Sequence, residues 1–241
     1  MDGFFRNFGN FGDIITSTLM RIIPALICIT IHELAHGFTA YKLGDNTAKN
    51  MGRLTLNPIK HIDPVGMLMI LFVGFGWAKP VPVDMRNFKH PKWYMGLTAL
   101  AGPVSNIILA VIVILILGLL SSVLGVFIDF PGDVMHYTND TGLAIGIMIK
   151  NAITLSIALA VFNMLPIPPL DGSKVLFSLL PEKAYMKLMK YERFGMYALL
   201  ALIVSQYFLG ISIIYLVIGR PIEMIIGWLS PIYEFALKLV I

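Results

Sequence analysis

The chain has 241 residues, 57% of them hydrophobic and 13% charged, with a mean hydropathy of +0.81. Soluble domains run at roughly 45–50% apolar and about 25% charged, so an ordinary water-soluble globule is excluded and a bilayer is the expected solvent. The formal charge of +4 forms no continuous basic stripe, which argues against a nucleic-acid partner, and the single cysteine, Cys28, excludes an intrachain disulfide or a thiolate cluster and reads as a small core residue.

The opening, MDGFFRNFGNFGDII, lacks the basic start and short apolar region of a cleaved leader, so the first apolar run is expected to stay in the protein. That run, 14–43, is long enough for a hydrocarbon core of roughly 30 Å with room for tilt, and Arg21 near its start can snorkel to the surface. Within it lies ITIHELAHG. On a helix, His32 and His36 are four residues apart and share a face, so two imidazoles can hold one zinc ion while Glu33 beside them takes a proton from water. HExxH alone is a short match that also occurs in soluble helices. In a spanning helix these groups are costly without partners, and that favours a functional reading.

A polar stretch, 44–63, precedes a shorter apolar one, 64–78, whose fifteen residues include three glycines. It falls below the roughly 17–25 residues of a spanning helix and reads as a re-entrant or kinked element, which a membrane tolerates where protein or trapped water satisfies its backbone. In the following KPVPVDM, Pro80 and Pro82 each remove a ladder donor, so 79–84 is either a strand at a sheet edge or an extended linker. Long apolar segments follow at 93–124, 141–165, 194–218 and 222–241. The expectation is an all-α polytopic membrane protein with about five transmembrane helices and a re-entrant, β-containing segment. It forms one membrane-embedded domain over 1–241, with a core at about 14–180 and C-terminal helices at about 194–241.

The basic residues test this count. Lys42, Lys49, Arg53 and Lys60 precede the short apolar stretch and Lys79, Arg86, Lys89 and Lys92 follow it, so both flanks read as cytoplasmic. The connection FIDFPGDVMHYTND has Asp129, Asp133 and Asp140 and no lysine or arginine, and reads as external. Lys174, Lys183, Lys187, Lys190 and Arg193 return the chain inside, which leaves an external N-terminus and a cytoplasmic C-terminus.

Catalytic zinc takes three protein ligands and leaves a position for water. The polar candidates near other membrane segments are Asn106, Asn151, Asn163 and Asp171. Asp171 follows Pro166, Pro168 and Pro169, which forbid a regular helix and let a carboxylate reach inward, although Asp171-Gly172 is also a common turn pair. His61 and Asp63 read as an interfacial turn rather than a metal or supporting site. His90 and His136 read as surface residues, and Trp77, Trp93, Tyr94 and Trp228 as an aromatic belt.

Taken together, HELAHG, LAGPVSN and NMLPIPPLDG resemble the site-2 protease family of intramembrane zinc metallopeptidases, more narrowly its short members without PDZ or CBS domains. The resemblance covers about 22–180. It implies that His32, His36 and Asp171 bind one catalytic zinc, that Glu33 is the general base, and that Asn163 lies near the reacting carbonyl. It further implies a partly re-entrant sheet at 64–84 that guides an extended substrate. The expected partner is a membrane protein or membrane peptide, and the expected setting is the cell membrane, with the active site toward the cytoplasm. A zinc transporter and a catalytically silent membrane-protein-binding homologue are the alternatives. A transporter has no use for a free carboxylate beside its first ligand, and the outer half of this chain is almost wholly apolar.

Overall fold

A computed structural model describes residues 11–66, 77–128, 135–185, 188, 194–195, 197 and 215–240. Three long helices dominate it: α1 (Phe11–Lys42), α3 (Pro91–Leu124) and α4 (Asp140–Asn163). A one-turn α2 (Thr47–Asn50) follows α1, α5 (Asp171–Leu179) follows α4, and α6 (Arg220–Lys238) lies near the C-terminal end. Strands β1 (Val126–Ile128) and β2 (Met135–Tyr137) pair antiparallel between α3 and α4, with Phe127 opposite His136.

The long helices start and stop where their sequences dictate. Pro91 opens α3, where its missing N–H costs nothing, and Gly125 closes it in the left-handed conformation (φ 61°). The Asn139 side chain caps α4 by accepting from the Gly142 N–H at 2.7 Å. Within the bundle, Asn151 donates to the Met20 carbonyl (2.9 Å), and the buried Cys28 thiol meets the Ser156 hydroxyl (3.1 Å); both contacts fasten α4 to α1. Among the described residues, three helices are long and apolar enough to cross a membrane: Thr18–Lys42 within α1, α3, and α4. On α3 the stripe Val104, Ile108, Ile112 and Ile116 is 45–53% exposed, an arrangement suited to lipid and unfavourable in water.

The buried core sits in the half of the bundle nearest the hairpin. Ala110, Ile114 and Leu117 of α3 meet Ile153 and Ile157 of α4, Val126 and Ile128 of β1, and Tyr233 of α6. A directional chain of hydrogen bonds closes this end: the Ile128 N–H donates to the Tyr233 hydroxyl, which meets the Ser121 hydroxyl, which donates to the Leu117 carbonyl.

The regular sheet among the described residues lies in the connection between α3 and α4, where the Ile128 N–H donates to the Tyr233 hydroxyl; of the region expected to hold a sheet at 64–84, the described ends carry the bridge Ile62–Ala78. The expected crossing at 222–241 folds as α6, which carries Glu223, Glu234 and Lys238 and is not among the three helices named above. Its C-terminal end packs against Gly118, where an added Cβ would lie 2.6 Å from that of Ala236. The expected crossing at 194–218 lies almost wholly outside the described residues.

The interior of the short apolar stretch, 67–76, also lies outside the described residues. Its two ends meet, however. Lys79 N–H donates to the His61 carbonyl at 3.0 Å beside the Ile62–Ala78 bridge, so the chain leaves the stretch where it entered it. The Arg53 guanidinium then donates to the Lys79 carbonyl (2.7 Å). Buried Asp45 accepts from the Asp84 N–H and the Asn87 amide (2.7 Å each), and this fixes 78–87 against the end of α1. Burial pushes the Asp45 carboxyl up, but its hydrogen bonds from Thr47, Asn87 and the Asp84 backbone outweigh that and hold it below the ordinary value.

Candidate metal centre

His32 and His36 project from one face of α1, and Asp171 is the first residue of α5. The prolines place it there. Pro166, Pro168 and Pro169, the last two joined by a cis peptide, end α4 and force a turn closed by Leu165 N–H to the Phe162 carbonyl and Leu170 N–H to the Ile167 carbonyl. Gly172 lies directly against the backbone of Met164 and Leu165, an approach no side chain would permit, and this folds the start of α5 back beneath the end of α4. A carboxylate in the first turn of a helix also suits its dipole.

Three atoms converge. His32 Nε2 is 3.0 Å from His36 Nε2 and 3.2 Å from Asp171 Oδ2, and His36 Nε2 is 3.1 Å from the same oxygen. Both histidines are buried, at 6% and 9% exposure. The nearly equilateral triangle has a circumscribed radius of about 1.8 Å, slightly less than the roughly 2.0–2.1 Å of zinc–nitrogen and zinc–oxygen bonds, so the donor set fits a tetrahedral ion with one direction left open. Two imidazoles and a carboxylate are also the donors such an ion prefers.

Helix α3 supplies the backing, through residues four apart on one stripe. His36 Nδ1–H donates to the Thr98 carbonyl at 2.7 Å, which leaves Nε2 as the lone-pair atom facing the triangle. Gly102 packs flat against both rings; a Cβ there would overlap His36 Nε2 and lie 2.6 Å from His32 Cε1. Asn106 Nδ2 lies 3.2 Å from His32 Nδ1. Thr98 was not among the sequence-derived site candidates, and Asn106 was only a polar candidate. Gly102 and Asn106 fall within the LAGPVSN stretch that carries the family resemblance, whereas Thr98 acts through its backbone carbonyl, which no residue type marks.

The other expected site residues are placed as follows. Glu33, half-buried, accepts the Val81 backbone N–H at 2.8 Å. Asn163, the last residue of α4, uses one amide hydrogen on the Leu159 carbonyl at 3.0 Å and keeps its second. Asp63 caps the turn at 64–66 by accepting from the Gly66 N–H (2.8 Å), consistent with the turn reading. His61 is 1% exposed and bonded through Nε2 to the Thr55 carbonyl (2.9 Å), not to the triangle. His61 and Thr30 line a small, largely apolar cavity with Leu26, Ile29, Ile62 and Trp77.

A chain from Bacillus subtilis named "Putative zinc metalloprotease YwhC" is 40% identical over 213 residues, covering 88% of this chain and 92% of that one. The chain belongs to the M50, or site-2 protease, family. The model of Peptidase family M50 matches residues 134–206, and two mycobacterial chains named "Putative zinc metalloprotease Rip2" share lower identity. The one from Mycolicibacterium smegmatis is 29% identical over 193 residues, 78% of this chain and 67% of its own length. That from Mycobacterium tuberculosis (strain H37Rv) is 28% identical over 195 residues, with the same coverage. No solved structure matches the chain significantly. The protein is therefore a zinc metalloprotease of this family, and the protease's His–His–Asp triangle is the cluster of metal-binding type among its described residues.

Proposed function

We propose that this protease hydrolyses peptide bonds within or near the membrane-spanning segments of membrane proteins, in a single membrane-embedded domain, with one catalytic zinc held by His32, His36 and Asp171. The observation that carries the reading is the position of the triangle: it forms on a helix apolar enough to span a bilayer, about 9–15 Å along the axis from that helix's C-terminal end at Lys42. Bound zinc supplies a Lewis acid that makes water acidic near neutral pH and polarises a carbonyl.

The chain's own residues supply the rest. Glu33, held by the Val81 N–H through Oε2, takes a proton from the attacking water and passes it to the leaving amine. The second amide hydrogen of Asn163 is the donor for the developing oxyanion. A helical substrate satisfies its own backbone, so it has to unwind before attack, and the segment 79–84 beside Glu33 offers an edge for the extended form. Basic residues crowd the end of the bundle that carries the triangle, including Lys42, Lys49, Arg53, Arg86, Lys89 and Lys92, which favours a cytoplasmic opening.

Comparative membrane proteomics of cells carrying the wild-type protein or Glu33→Gln tests the reading. Fragments of membrane proteins cut in or beside their spans are expected only with the wild type. An identical fragment set in both overturns it.

A further inference from the structure

Asn106 is fully buried on α3, with its amide nitrogen 3.2 Å from His32 Nδ1 and its oxygen Oδ1 without a partner among the described residues. Its neighbour on the stripe shows what the position is for. His36 gives its Nδ1–H to the Thr98 carbonyl, which frees Nε2 for the triangle. His32 has the same requirement, because a neutral imidazole has one N–H, and a ring that offers Nε2 to a metal carries that hydrogen on Nδ1. An acceptor must then face Nδ1. As placed, Asn106 presents its NH₂ there, which matches the opposite tautomer, with the hydrogen on Nε2 directed at Asp171 Oδ2. The two ends of an amide differ only by a half-turn. Rotated, Oδ1 reaches Nδ1–H and gains the partner it lacks.

Resting on the zinc reading of the triangle, we infer that Asn106 is a positioning residue for His32. Its carbonyl oxygen, turned toward Nδ1–H, holds the metal-binding tautomer. α3 thus fixes the two histidines by different means: a backbone carbonyl that cannot turn for His36, and a rotatable side chain for His32.

The test is zinc affinity of the purified full-length protein in detergent, measured by competition with a chromophoric chelator. Loss of such an outer partner typically costs roughly 10–100-fold in metal affinity, and Asn106→Leu, of similar size but without an acceptor, is expected to show that loss. Asn106→Asp, which restores an acceptor, is expected to bind within about threefold of wild type, or tighter, since a carboxylate is a common partner of a metal-bound histidine. Wild-type affinity in Asn106→Leu overturns the inference, as does a folded Asn106→Asp no better than Asn106→Leu, which would leave Asn106 a packing role only. Should Asn106→Leu fail to fold, Asn106→Ala replaces it in the same comparison. His36→Ala separates the two levels. Zinc lost there but undiminished in Asn106→Leu overturns this inference alone, whereas zinc retained in both overturns the reading on which it rests.

Discussion

The backbone N–H of Val81 donates to the carboxylate of Glu33 across 2.8 Å, and the Val81 side chain is buried against Gly37 one turn further along α1. The candidate base is therefore tied to the chain that leaves the short apolar stretch, so the position of 79–84 and the aim of Glu33 are set together.

Glu33→Gln separates proton transfer from this structural tie. Glutamine keeps the size of the side chain and an oxygen for the Val81 N–H but cannot take a proton from water near neutral pH. Cleavage of a membrane-segment substrate in reconstituted vesicles is expected to fall by at least the roughly 10²- to 10⁴-fold that an acid–base group contributes, with zinc content unchanged. A metal-replete Glu33→Gln protein that cuts at the wild-type rate removes the base from the mechanism.

The His32–His36–Asp171 triangle predicts one zinc per chain. Elemental analysis of desalted protein is expected to give that ratio for the wild type and a large loss for His36→Ala and Asp171→Ala. Full occupancy in both variants places the zinc elsewhere.

Gly102→Ala adds one methyl between two imidazoles and a helix backbone. Overpacking of this kind costs about 1–3 kcal/mol, and where the rings must shift to bind metal this amounts to about 5- to 150-fold in zinc affinity. Chelator competition measures it. Equal affinity in Gly102→Ala would mean that the rings have room which the close approach of α1 and α3 does not offer.

Cysteine scanning tests sidedness. With Cys28 replaced by alanine, cysteines at Asn50 and Lys89, both exposed at the triangle's end of the bundle, are expected to resist a membrane-impermeant thiol reagent in intact cells, and one at Tyr137 in the hairpin to react. Opposite labelling of positions 50 and 89 contradicts an entry and exit on one face.

Helices α1, α3 and α4 were legible because each is a long apolar run with its own stop signals; Gly125 and Asn139 mark two of their ends without any tertiary information. The hairpin was not, since Val126–Ile128 and Met135–Tyr137 are three residues each and depend on the Tyr233 hydroxyl, 105 residues beyond Ile128. The apolar run at 222–241 was legible as a helix, while its packing on Gly118 was not, since that contact joins residues far apart in the chain. At the site, the four-residue spacing of His32 and His36 and the proline break before Asp171 gave the three side chains that converge. Asn106 was in view as a polar candidate and as the end of LAGPVSN, but its contact with His32 and the part played by Thr98 were hidden, because both depend on how α1 and α3 register antiparallel to each other. The busy donor of Asn163 was hidden likewise, until its side chain was seen turned onto Leu159.

Pro80 and Pro82 have one more effect. Between Lys79 and Val83 only three residues own an N–H, and those of Lys79 and Val81 are already engaged by the His61 carbonyl and by Glu33. An extended chain laid along this edge finds oxygens to donate to and almost nothing to accept from. The pairing is one-way. A substrate laid there, as proposed above, would be gripped by its amide hydrogens while its own carbonyls stayed unclaimed and open to attack. The same shortage of donors blunts the edge toward a second copy of itself, which would bring the identical deficit.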